Sequence, residues 1–389
     1  MTETTATLPL DGFDDAGGGD GNIHSTGILP SQILRGLLAS GEIFAAGDHA
    51  VGEDQIQPAS LDLRLGPTAY RVRGSFLPGA GKTVASRLDA FTMHEIDITG
   101  GAVLERGCVY VVPLLEGLKL PRMMSAMANP KSSTGRLDIF TRVITDYSSE
   151  FDRIEEGYRG KLYAEISPLT FSVLVRTGTR LSQLRLRRGK PPATMAAMRR
   201  LHEASPLVST DDADIAKSGV VFTVDITGAA EGGLIGYKAK RHTGVIDLEK
   251  DGYYEVHDFW DPIVSRGATN ITLDPDEFYI LASKEAVSVP PDHAAEMRAF
   301  DSHVGEFRVH YAGFFDPGFG HDAAGGQGSR AVLEVRPRDV PFVLEDGQTM
   351  GRLVYERLTQ TTDQVYGSGI GSNYQSQGLK LSKHFKPPT

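Results

Sequence analysis

The residues Lys131-Ser132-Ser133-Thr134-Gly135-Arg136 have the composition of a loop that holds a triphosphate. Lys and Arg neutralise charge, while hydroxyls and the N–H groups of a Gly-containing turn donate to phosphate oxygens. Downstream, Glu165 lies in the apolar run Leu162 to Ile166. Much further on, Glu334 follows Val332-Leu333 and the turn Asp316-Pro317-Gly318-Phe319-Gly320. A carboxylate on a buried strand suits proton transfer on a heterocyclic base, because burial raises its pKa toward neutrality. These groups point to a nucleotide site assembled from widely separated parts of the chain.

A repeat explains how they are positioned. Tyr110 and Tyr279, Leu120-Pro121 and Val289-Pro290, Glu165 and Glu334, Pro168 and Pro337, Gly178 and Gly347, and Leu184 and Leu353 are each 169 positions apart. A common offset over strands and turns alike is the mark of tandem duplication. Copy one is expected over 27–190 and copy two over 218–389. Residues 1–26 form a leader, with the Gly- and Asp-rich stretch Asp11 to Asn22 expected to be disordered. The linker 191–217 carries Pro191-Pro192, a short helix within Thr194 to Ala204, and the acidic turn Asp211-Asp212.

Within each copy the pattern is mainly β. Runs such as Val109-Tyr110-Val111-Val112, Phe171 to Val175 and Leu181 to Leu186 are short, apolar and bounded by Gly, Pro or Ser turns. That spacing predicts two small barrels with a few short helices. One helix is expected near the start, capped by Ser31 and turning Ile33, Leu34, Leu37 and Leu38 toward the core.

Composition narrows the partners. A chain of 389 residues suits two domains. A net charge of −10 disfavours general nucleic-acid binding, since phosphate-backbone affinity needs a positive surface, yet leaves room for a local basic pocket. No apolar run reaches the roughly 18 residues of a membrane span, so no membrane partner is expected. The Met1 region lacks a secretory signal pattern, and a cytoplasmic location is expected. Cys108 is the only cysteine, which precludes an intramolecular disulfide and any Cys-based zinc framework. No protein-held metal is expected.

The run Gln55-Ile56-Gln57-Pro58-Ala59-Ser60-Leu61-Asp62-Leu63-Arg64-Leu65-Gly66, the Ser-Ser-x-x-Arg-Leu loop, the Asp-Pro-Gly-aromatic hairpin and the tail from Tyr366 through Asn373-Tyr374-Gln375-Ser376-Gln377-Gly378 together resemble the dCTP deaminases of the dUTPase-like superfamily. The resemblance implies distorted β-barrels, hydrolytic conversion of dCTP to dUTP and ammonia, and active sites between neighbouring barrels. It also implies a homo-oligomer, with magnesium arriving on the nucleotide's phosphates rather than in a protein cage. Ser132 and Arg136 fall on the family's catalytic Ser and Arg, and Lys131, Ser133, Thr134 and Gly135 complete the phosphate loop. Ala312, Asp316, Val332, Leu333 and Glu334 fall on the base-binding hairpin and strand. Tyr366, Asn373 and Gln377 keep the tail's spacing, with Asn373 where a Lys is usual.

The copies have diverged in opposite ways. In copy two the loop reads Asp301-Ser302-His303-Val304-Gly305-Glu306, whose acidic ends would repel a triphosphate. In copy one the hairpin reads Glu155-Glu156-Gly157-Tyr158 after the extra stretch Tyr147 to Asp152. The expectation is one cross-copy site, with phosphates on copy one, cytosine on copy two, Glu334 as the proton shuttle and Glu165 in reserve.

Plainer readings stand beside these. Alone, a Ser-Ser-Thr-Gly segment after Asn129-Pro130 is an ordinary turn. An alternating strand would also let Glu334 face solvent, and Glu165 could be a structural carboxylate satisfied by backbone donors. Gly79-Ala80-Gly81-Lys82-Thr83 imitates a P-loop, but Phe76 stands where the first Gly is required. His310 and Trp260 are read as packing residues. Two other functions compete: a dUTP diphosphatase, alone or combined with deamination, in which Asp316 would activate water, and a nucleotide-binding regulator without turnover.

Overall fold

The computed structural model describes residues 23–47, 49–191, 194–210, 214–216, 219–229, 232–267, 269–299, 307–310, 313–367 and 378–387. Strands dominate, arranged in several small sheets that build two barrels. In copy one, Arg159–Pro168 lies between Val109–Lys119 and Ile139–Thr145. In copy two, Ser329–Pro337 lies between Tyr279–Val287 and Phe307–His310. Glu165 stands opposite Val111 and Glu334 opposite Ile280, so the pairing register repeats with the sequence offset. The strands Met124–Pro130 and His293–Ala299 likewise pair with Arg180–Arg188 and Thr349–Arg357 in matching register.

One face of each central sheet is treated differently in the two copies. In copy one, the helix Val84–Phe91 folds back over its own barrel. Its Val84 and Leu88 cluster with Val72, Phe76, Val111, Ile144 and Tyr163. In copy two, the segment after Leu234–Ala239 crosses to the other barrel, where Ile246–Asp247 pairs in parallel with Val173–Val175. The copy-two residues Ile280 and Val332 therefore join the core of copy one. Trp260 is fully buried between the barrels, 5.4 Å from the Phe171 ring and 5.9 Å from the Phe385 ring. It packs, as its sequence context suggested.

One sequence expectation changes here, and two gain structural detail. Ser31 is the first residue of the helix Ser31–Ala39, not its cap; Pro30 holds that position. The Ser31 hydroxyl lies 3.1 Å from the hydroxyl of Thr362 and also donates to Asp363, tying the helix to the end of copy two. The leader is shorter at its described end, since the His24 N–H donates to the Thr359 carbonyl at 2.6 Å; residues 1–22 lie outside the described residues. The linker helix spans Met195–Ala204, capped by Thr194. Around it, the linker packs rather than hangs free: Met198, Leu207 and Val208 are buried in the copy-two core, and Ile215–Ala216 already pairs as a strand.

A core shared by both barrels predicts that they unfold together. Trp260 is the only tryptophan, so its fluorescence reports on the interface alone, whereas far-UV circular dichroism reports on both barrels. The two signals are expected to follow one denaturant transition. Separate midpoints would show barrels that fold independently.

Candidate functional site

The strand Met124–Pro130 delivers the chain into Lys131, after which Ser132–Gly135 forms a single helical turn. The N–H groups of Thr134 and Gly135 bond back to the Lys131 carbonyl, and that of Arg136 to the Ser132 carbonyl. This turn presses directly on copy two. A Cβ added at Gly135 would lie 2.4 Å from Oε2 of Glu334, so only glycine permits the approach. Arg136 is 3% exposed beside the same carboxylate and donates from Nη1 to the Lys380 carbonyl at 2.8 Å.

One of the cavities at the seam holds most of these groups. Copy one lines it with Lys131, Ser132, Ser133 and Arg136, joined by Asp54, Gln57, Asp62, Pro130, Arg180 and Gln183. Copy two contributes Asp316, Val332, Glu334 and Tyr366, joined by Met297, Gly313, Phe314, Phe315, Phe319 and Lys383. The Tyr366 ring stands 5.7 Å from the Phe319 ring, and the Tyr366 N–H donates to the Pro317 carbonyl. Thr134 is buried behind the turn. Ala312, Asn373 and Gln377 lie outside the described residues, as do residues 301–306 of the acidic copy-two loop.

Glu334 is 5% exposed. Burial holds its carboxyl well above the usual carboxylate range; the Arg136 guanidinium pulls it down and Asp138 pushes it up. Glu165 occupies the equivalent register position but a different environment. It is 1% exposed, and its Oε1 accepts from Arg142 Nη2 at 2.5 Å. The Arg142 guanidinium is stacked 3.4 Å from the centre of the Phe151 ring, within the extra stretch Tyr147 to Asp152. Asp152 itself is buried, pushed up to about 7, with Oδ1 accepting from the Val143 N–H. Glu165 is thus held in an ion pair with Arg142, beside residues peculiar to copy one.

Two other expected site residues have partners of their own in the structure. Leu333 points into the copy-two core, because alternate residues of a strand face opposite sides and its neighbours Val332 and Glu334 face the cavity. Asp316 reaches the cavity wall, but Oδ1 accepts from Arg185 Nη2 at 2.7 Å and Oδ2 from the Ser60 hydroxyl at 3.1 Å. Its charge anchors the copy-two hairpin to copy one.

Several lining residues escaped the sequence reading. Asp62 stood in the Gln55–Gly66 run, where a polar residue between Leu61 and Leu63 was a usable signal. In the structure it forms an ion pair with Lys131, while its Oδ1 is buried without a hydrogen-bond partner. Arg180 and Gln183 had no local signal. Residues 378–387 were also missed as a brace: the Ser382 hydroxyl donates to the Ser133 carbonyl at 2.9 Å, and Phe385 anchors the segment in the shared core. Among the described residues no cluster of three or more His, Cys, Asp or Glu side chains could hold a metal ion.

With this geometry in view, comparisons with known proteins agree over most of the chain. Residues 25–190 match the N-terminal domain of 2'-deoxycytidine 5'-triphosphate deaminase (DCD), and residues 194–385 match its C-terminal domain. A "dCTP deaminase, dUMP-forming" of Beutenbergia cavernae is 30% identical over 152 residues, covering 34% of this chain and 74% of the relative. A "dCTP deaminase" of Halorubrum lacusprofundi is 29% identical over 168 residues, covering 43% of this chain and 79% of the relative. The crystal structure of the 2'-deoxycytidine 5'-triphosphate deaminase of Agrobacterium tumefaciens superposes with a TM-score of 0.82 at 57% identity, over 86% of this chain and 100% of that one. The chain belongs to the dCTP deaminase family, as a tandem-duplicated member whose two barrels meet at this cavity.

Proposed function

We propose that the chain hydrolyses dCTP to dUTP and ammonia in one site that each chain builds from its own two barrels. The observation that carries this reading is the contact between Gly135 of the copy-one turn and the Glu334 carboxylate of copy two. It sets a loop suited to phosphates beside a buried group suited to proton transfer. Lys131, Ser132 and Ser133 bind the triphosphate, which brings its own magnesium, while Val332 and Phe319 flank the cytosine.

Glu334 begins ionised and takes a proton from water as the hydroxide adds to C4. It delivers that proton to N3, which relieves the negative charge building on the ring. It then takes the proton of the new C4 hydroxyl and passes it to the amino group. The C4–N bond breaks, ammonia leaves, and the C4 carbonyl of uracil forms. A carboxyl held by burial above the usual carboxylate range loses its proton to water less readily, which suits such a shuttle. Arg136, beside the same carboxylate, stabilises its ionised form and orients the water.

Incubation with dCTP is expected to release ammonia and dUTP in equal amounts without pyrophosphate. Pyrophosphate with dUMP would indicate the combined activity that the names of some relatives describe; the capture of Asp316 by Arg185 and Ser60 argues against it. Absence of turnover would leave a binding protein. Activity is also expected to survive strong zinc chelation once magnesium is resupplied, since the lone Cys108 excludes the Cys-based zinc framework of other deaminases. Restoration by zinc alone would contradict the proton-shuttle mechanism.

Glu334→Gln is expected to lower kcat by at least about a hundredfold while dCTP still binds, whereas Glu165→Gln keeps most activity. The reverse pattern would move the site to copy one. The raised pKa of Glu334 also has a stability consequence. Its folded-state pKa exceeds the unfolded value, so ionisation favours unfolding as pH rises through the folded pKa. Thermal melts at high pH should therefore find Glu334→Gln at least as stable as the parent, with the advantage vanishing in acid.

A further inference from the structure

We propose that Arg336 and Asp138, bridged by Thr170, are positioning residues for this reaction: they lock the strand carrying Glu334 to the end of the copy-one phosphate turn. The inference rests on Glu334 being the proton shuttle. Arg336 lies two residues beyond Glu334 on Ser329–Pro337, hence on the same face of the strand. Its Nη2 donates to Asp138 Oδ2 and, at 2.7 Å, to the Thr170 hydroxyl. That hydroxyl donates onward to Asp138 Oδ2 at 2.6 Å, while Arg336 Nη1 donates to the Asp276 carbonyl at 2.5 Å. The Arg336 side chain is 11% exposed and that of Asp138 0%, so solvent does little to weaken the pair.

Asp138 is fixed with respect to the phosphate turn. It follows Arg136 by two residues, in the left-handed region at φ 54°, with its N–H bonded to the Gly135 carbonyl at 2.8 Å. The clamp therefore joins the turn that presents Arg136 to the strand that presents Glu334. In copy one, Ser167 stands where Arg336 stands in copy two, so Glu165 has no guanidinium two residues beyond it.

The clamp also enters the charge balance at Glu334. Arg136 and Asp138 face it from copy one, Arg336 shares its strand, Lys131, Lys383 and Asp316 line the same cavity, and His310 is its register partner. Asp138 favours the protonated carboxyl, and Arg336 neutralises Asp138. Since the ionised carboxylate starts the reaction, activity falls below its pKa. Removing the charge of Asp138 should move the acid limb of the kcat/KM profile to lower pH. Removing Arg336 leaves Asp138 unopposed and should move it to higher pH.

Asp138→Asn is the cleaner probe, because Asn tolerates the left-handed conformation and keeps the side chain's shape. It and Arg336→Gln are each expected to lower kcat by about ten- to a hundredfold, with KM for dCTP changed less than about twofold, because the phosphate contacts remain. Opposite displacements of the acid limb would support the clamp. Parental kcat and pH profile in both variants would overturn it, as would losses that follow a lowered melting temperature with an unmoved limb. If Arg336→Gln does not fold, the limb of Asp138→Asn decides alone, and an unmoved limb overturns the proposal. Full activity of Glu334→Gln would instead overturn the shuttle on which the clamp rests, a result separable from failure of the clamp.

Discussion

A carboxyl held well above the usual carboxylate range must be kept from water, and for Glu334 one face of one small barrel does not do this unaided. Glu334 sits on the outward face of its strand with Ile280 opposite and Val332 beside it. Copy one supplies the cover. Its Phe171 and Val173 extend the apolar surface around Trp260, and its phosphate turn closes on the carboxylate. Apolar burial is non-directional, so it brings the barrels together without specifying their angle. The direction comes from Arg-centred pairs across the seam: Arg176 with Asp247, Arg185 with Asp316, and Arg336 with Asp138. A guanidinium presents several donors in a fixed plane, which suits it to this role better than an ammonium.

The same register position has opposite fates in the two copies. Glu165 is paired with Arg142, whose guanidinium stacks on Phe151. Glu334 has no such ion pair among the described residues and is covered by a neighbouring barrel. Duplication frees one chain to specialise its two faces. Copy one closes its sheet with the helix Val84–Phe91, while copy two sends the corresponding segment across to copy one. In this structure the Ser132–Gly135 turn of copy one and the Glu334 strand of copy two meet within one chain.

The C-terminal segment adds a constraint from outside either barrel. Lys380 and Ser382 bond to Arg136 and Ser133, while Phe385 is buried with Trp260. The phosphate turn is thus braced from behind by the same aromatic cluster that joins the barrels. Packing at the seam and geometry at the site are consequently one problem, and a loose interface would be felt first at the Arg136–Glu334 approach.

Local chemistry made much of this legible in the sequence. Alternating apolar residues and Gly/Pro turns are short-range signals, and they marked the strands around Glu165 and Glu334 and the linker helix. The constant offset showed the duplication, because corresponding side chains must meet corresponding surroundings in two copies of one fold. The unequal decay of loop and hairpin indicated which halves to combine. What remained depends on neighbours distant in sequence. The different surroundings of Glu165 and Glu334 come from Arg142 in one copy and from the Gly135 turn in the other. Ser31 resembled a helix cap until Thr362 and Asp363 were seen to hold its hydroxyl. Nothing near Asp316 in the sequence showed that Arg185 reaches it from the other barrel. A residue type states which interactions are possible; only tertiary packing selects among them, because desolvation makes each buried charge depend on the partners that the fold brings within a few ångströms.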